Sequence, residues 1–202
     1  VVNTLKLPNG NYWDSTNHTL YDSSFKVITN LEKCGAYFEP KQQLFVVTYQ
    51  SKKGLIDMNG IVGCQFLYDQ IYVTDGETLG DSRYFLGTKD SKLYRIYYNE
   101  SYDSYLGNYH YKISENLFIF KSETNSDSTY VCSSADTFFS YYDSENNFYT
   151  CNYLIGEQVY YLVPNQNNSY KTYRTVWYKN FVPTTISPIS ADSTSHVIGD
   201  NQ

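Results

Sequence analysis

The 202-residue sequence predicts an all-β fold, an antiparallel β-sandwich stapled by disulfides, and three observations carry that reading. Helix signals are nearly absent: alanine occurs only at Ala36, Ala135 and Ala191, and no dozen-residue window keeps apolar residues at i, i+3, i+4 and i+7. Short runs rich in Val, Ile, Tyr, Phe and Thr recur about every ten residues between clusters of Gly, Asn, Asp and Ser. Tyrosine is in excess, with 24 residues against 11 Phe and 2 Trp, and its ring suits a pleated, half-buried surface. This cadence belongs to sandwiches and barrels, so a β-barrel is the alternative architecture.

Taken in order, the runs predict strands at Ser24–Thr29, Leu44–Tyr49, Ile61–Val73, Arg83–Gly87, Lys92–Tyr98 and Tyr109–Ser114. They continue at Leu117–Lys121, Thr129–Cys132, Thr137–Tyr142, Phe148–Ile155, Glu157–Val163 and Tyr170–Tyr178. Lys52-Lys53-Gly54, Met58-Asn59-Gly60 and Asp75-Gly76 read as turns, because Gly and Asn accept positive φ. Val159–Val163 is apolar on both faces, as a central strand is, whereas Lys171–Trp177 alternates loosely and reads as half-exposed. The two halves of the chain show no repeat on direct comparison. No linker divides them, so residues 1–182 read as a single all-β domain. From residue 183 to 202 the chain is Pro/Ser/Thr-rich and reads as an extended tail.

Charge and hydropathy exclude some partners. A net charge of −6 and a pI near 5.0 argue against nucleic acid and anionic membrane surfaces, which require a basic face. No apolar run approaches the roughly 20 residues that a spanning helix needs, so no membrane span is expected.

Four cysteines, Cys34, Cys64, Cys132 and Cys151, form no CxxC pair and lie far from His18, His110 and His196, which argues against structural zinc. An even count in a Ser/Thr/Asn-rich chain reads as two disulfides made in an oxidising compartment. Three connectivities are open, of which the spacing favours Cys34–Cys64 with Cys132–Cys151. Sequons at Asn17, Asn99 and Asn167 are candidate glycosylation sites; chance alone gives about three, so their number carries no information. Asn167 lies in the turn-like stretch Pro164–Ser169, where a glycan fits.

No motif for chemistry assembles. There is no G-x-S-x-G elbow, no phosphate-cradling glycine loop and no calcium loop, and His110 sits between Tyr109 and Tyr111 in a strand-like run. The acidic residues fall mostly in turns, where turn chemistry explains them. The expectation is therefore a non-enzyme without cofactor or metal. For binding, exposed aromatics are the candidates: Trp13, flanked by polar residues, and Tyr102, Tyr105, Tyr109 and Tyr111 of the densest tyrosine cluster. Trp177 reads as core. The expected function is a secreted or cell-surface glycoprotein that recognises a glycan or protein ligand through Tyr-rich loops. Two other readings are carried. One is a self-assembling subunit that lends Val1–Leu7 or Ile186–Ile198 as a strand to copies of itself; the other is a small-ligand carrier barrel.

Overall fold

The computed structural model describes residues 3–114, 117–121, 123, 129–138, 140–142, 148–159, 173–179 and 182–184. Among them the chain is entirely β, in antiparallel sheets, with no helix and no closed barrel. β1 (Thr4–Lys6), β2 (Tyr12–Asp14), β3 (Thr19–Tyr21) and β4 (Val27–Asn30) form one meander, with neighbours in sequence paired in space. β5 (Gly35–Glu39), β6 (Leu44–Tyr49), β7 (Lys52–Asp57) and β8 (Val62–Tyr68) form a second.

In the third sheet, β9 (Gln70–Ile71) and β10 (Glu77–Leu79) both pair with β11 (Ser82–Lys89). β12 (Lys92–Tyr97), β13 (Asp103–Ser114) and β14 (Leu117–Lys121) follow in order. β15 (Thr129–Cys132) and β16 (Thr137–Phe138) are short. β17 (Ser140–Tyr142), β18 (Phe148–Val159), β19 (Tyr173–Lys179) and β20 (Val182–Thr184) make a further meander. The chain divides into two compact units, Val1–Ser128 with Cys132–Asp136, and Thr129–Val131 with Thr137–Gln202.

The core of the first unit follows from the pleat. Leu44-Phe45-Val46-Val47 is a continuous apolar run, so successive side chains reach opposite faces of the second meander, and both faces are buried. Leu44, Val46 and Leu55 join Phe85 and Ile96 of the third sheet in one cluster. Phe45, Val47 and Ile56 join Trp13 and Leu20 of the first meander in another. The second meander is thus a shared wall between two apolar cores.

Successive elements repeat in geometry where they do not in sequence. The turns Leu7–Asn11, Asp22–Lys26 and Asp57–Ile61 close with the same two backbone bonds. In each, the first N–H donates to the fifth carbonyl and the fourth N–H to the first carbonyl, at 2.7 to 3.0 Å. The fourth residue is left-handed in all three: Gly10 at φ 91°, Phe25 at 61° and Gly60 at 82°. Asp22 and Asp57 add carboxylate acceptance of two further N–H groups each. Likewise Gln50-Ser51 and Asp90-Ser91 are both two-residue loops with positive φ at each position. They join hairpins that carry the register pairs Phe45↔Ile56 and Phe85↔Ile96. Direct comparison of sequences misses this repeat because the copies share backbone handedness, while an aspartate opens only two of the three turns.

Three expectations change. Lys52-Lys53-Gly54 is strand, not turn: the reversal lies at Gln50-Ser51, and Gly54 is needed because a Cβ there would meet the Cys64 carbonyl at 2.6 Å. Cys34, Cys64 and Cys132 are free thiols, so neither favoured disulfide is present. The pleat explains the first, since Cys64 belongs to one core while Cys34 packs against the other. The oxidising-compartment reading rested on those bridges and draws no support from unpaired thiols; the Cys151 side chain lies outside the described residues. The barrel alternative gives way to open sheets. The segment proposed for donation at Val1–Leu7 is engaged within its own chain, with Thr4–Lys6 paired to Tyr12–Asp14; Ile186–Ile198 lies outside the described residues.

β13 changes partner along its length, pairing with β12 up to Asn108 and with β14 from Asn108 onward. A bulge at Leu106–Gly107 makes the transfer, and a Cβ at Gly107 would stand 2.3 Å from the Lys121 carbonyl oxygen. Gly107→Ala is expected to destabilise by about 1–3 kcal/mol in urea unfolding. Gly35→Ala, whose Cβ would make only ordinary contact with Thr48 at 3.4 Å, should stay within about 0.5 kcal/mol. Trp13→Ala, which empties the core beside Phe45, should cost about 3–5 kcal/mol by the same measurement.

Candidate functional site

Trp13 leaves the list of binding residues. It is 3% exposed, tilted against Phe45 at 4.5 Å and stacked over His18 at 6.0 Å. Polar neighbours in sequence misled because a strand points every second side chain the other way. Tyr109 is half-buried against Tyr72 at 6.0 Å, and Tyr72 packs edge-on to Phe118. Tyr111 is placed as backbone opposite Ile119, with its side chain outside the described residues. Tyr102 and Tyr105 remain at the surface, 59% and 42% exposed.

Tyr102 stands at a cavity of about 110 Å³ whose other lining residues include Cys64, Gln65, Tyr68, Lys89, Glu100, Ser101 and Asp103. Four pieces of chain build it. β8 supplies Cys64, Gln65, Leu67 and Tyr68; the end of β11 supplies Lys89; β12 supplies Ile96; the turn from β12 into β13 supplies Glu100 to Asp103. That turn is tied to β8 by the Asn99 N–H, which donates to the Gly63 carbonyl at 2.8 Å, with Asn99 itself left-handed at φ 65°.

A short polar network fixes the inner wall. Asp103 Oδ2 accepts from the Tyr68 hydroxyl at 2.6 Å and from Lys89 Nζ at 2.8 Å. The Lys89 ammonium lies 4.1 Å from the Tyr94 ring centre and 5.1 Å from that of Tyr68, so its charge is neutralised by one carboxylate and held over two aromatic faces. Burial, and then the bond to Asp103, push the Tyr68 hydroxyl well above the usual phenol range, so it stays a donor. Burial lifts the Cys64 thiol to about 12, which keeps it protonated and a poor nucleophile.

The rim is different. Gln65, Glu100 and Ser101 are exposed, and none of their side chains takes part in a hydrogen bond within the described residues. Tyr102 is backed by Tyr97 at 4.9 Å between ring centres, and Tyr97 is bonded to Ser104 at 3.0 Å and packed on Tyr84. Its ring is therefore presented on a supported base. Tyr105 lies off the cavity, packed on Tyr94 at 5.3 Å beside the Lys92–Glu123 ion pair of 3.0 Å. Lys92, and after it Tyr105, hold the Glu123 carboxyl below its ordinary range.

Of the sequons, Asn17 is exposed but its amide donates to Asp14 Oδ2 at 3.0 Å inside the β2–β3 turn. Asn99 is exposed next to the cavity residue Glu100, and Asn167 lies outside the described residues. No group of three or more His, Cys, Asp or Glu able to hold a metal occurs among the described residues. Tyr68, Lys89 and Asp103 escaped sequence reasoning, since Tyr68 and Asp103 are 35 positions apart and no local motif marks either.

Buried acids set an alkaline limit. Cys64 and Tyr98 are both raised to about 12 by burial, against ordinary values of 9.0 and 10.0. The folded state thus holds these protons more tightly than the unfolded state, so their contribution is complete below about pH 9 and is lost as pH climbs toward 12. Unfolding free energy measured in urea is expected to fall steadily from about pH 9 to 11; an increase over that window would contradict the burial of these groups. No protein-family model, no curated protein and no solved structure matches this chain.

Proposed function

We propose that the chain is a non-catalytic recognition domain that takes a glycan or protein ligand on the face around Tyr102. The observation that supports this is a large, exposed aromatic ring on a supported base, standing at the mouth of a cavity with unengaged polar side chains on its rim. Binding surfaces favour such rings because they supply contact area at low entropy cost. The stacked Tyr97 and the Tyr68–Asp103–Lys89 network pre-order the surface, which lowers what a ligand must spend on rigidifying it.

The test uses arrays of immobilised glycans and proteins probed with the full chain. Tyr102→Ala should weaken a bound ligand at least about tenfold, equivalent to roughly 1.4 kcal/mol. Tyr105→Ala should reduce it less, because Tyr105 stands off the cavity. Both variants should melt within about 2 °C of the parent, as surface changes do. Array ligands retained in full by the double variant would remove this face from consideration.

A further inference from the structure

We infer that the cavity under Tyr102 takes a neutral, hydroxyl-rich ring, a single pyranose unit. This rests on the recognition reading above and names the ligand class of the same face. Charge decides first. The lining carries Lys89 against Glu100 and Asp103, so a ligand anion meets two carboxylates, and the one cation is already ion-paired at 2.8 Å. A ligand cation fares no better at the inner aromatic wall. The Lys89 ammonium is already set against Tyr68 and Tyr94, so the ring faces that would hold a second cation are taken. A neutral ligand needs neither an unpaired cation nor those ring faces.

Polarity decides next. Glu100 offers acceptors, Gln65 and Ser101 offer both donors and acceptors, and Asp103 Oδ1 takes no part in the bonds to Tyr68 and Lys89. A ring bearing several hydroxyls satisfies such a mixed set, since each hydroxyl both donates and accepts. An apolar ligand would leave these groups desolvated and unpaired. Tyr102 and Leu67, exposed on the rim, supply the apolar surface against which the C–H face of a pyranose packs. Size agrees: about 110 Å³ is well short of the roughly 300–1,000 Å³ of drug-sized sites, which points to one ring, not an extended chain.

The experiment is saturation-transfer NMR and calorimetry on the full chain with methyl glycosides of glucose, galactose, mannose, fucose and N-acetylglucosamine. N-acetylneuraminic acid serves as the anionic control and trimethyl-lysine as the cationic one. At least one neutral glycoside is expected to bind with a dissociation constant on the order of 1 mM. Tyr102→Ala should weaken it at least about tenfold and Glu100→Ala about threefold or more, while Tyr105→Ala leaves it unchanged. Presenting the same ring on a free oligosaccharide and on a glycoprotein separates the two sources of such a ligand. Failure of all five neutral glycosides, tighter binding of either control, or indifference to Tyr102→Ala would each overturn the inference. A protein ligand lost in Tyr102→Ala, yet not displaced by any glycoside, would overturn the sugar assignment and leave the recognition reading standing.

Discussion

Everything in the first unit leans on β6. Its four apolar residues Leu44-Phe45-Val46-Val47 alternate between two cores, so this one strand anchors the first meander through Phe45 and Val47 and the third sheet through Leu44 and Val46. A strand buried on both faces is uncommon in antiparallel sheets, where one face is usually wet, and it imposes a serial order on the packing. Each core is then a nearest-neighbour interface, and the stability of the unit is a sum over such interfaces more than the property of one central core.

The candidate site inherits its precision from the same arrangement. Tyr68 closes the strand that faces the third sheet, and its ring belongs to the core while its hydroxyl reaches Asp103 at the start of β13. One side chain therefore connects apolar packing to the polar wall of the cavity. The rim residues Glu100 to Tyr102 hang on the turn that Asn99 fastens to β8, which carries Gln65 and Leu67, so a backbone bond fixes the two sides of the mouth relative to each other.

How far the sequence reveals this depends on the kind of signal. Leu44–Tyr49, Leu117–Lys121 and Thr129–Cys132 match the observed strands end to end, because apolar or β-branched runs stop there at polar residues. The three-residue strands β1 to β3 are too short to show alternation, and β7 was hidden by a Lys-Lys-Gly that looks like a reversal. The true reversals place Gln50, Ser51, Asp90 and Ser91 in left-handed backbone without any glycine to announce them. At the site, the exposure of Tyr102 was legible in the density of tyrosines around it, whereas Lys89 and Asp103 become partners only through the β11–β12–β13 pairing. Trp13 shows the opposite failure, where polar neighbours advertised a surface position that strand alternation denies.

The unpaired thiols have a use beyond the correction they bring. Cys64 sits inside the core between the second meander and the third sheet, Cys34 borders the core between the first and second meanders, and Cys132 is fully buried elsewhere in the unit. They form a set of native sensors, each reporting on a different part of the stack without any engineered label. The sequence in which a thiol reagent reaches them under native conditions would read out which interface opens first, and whether the stack comes apart one layer at a time or all at once.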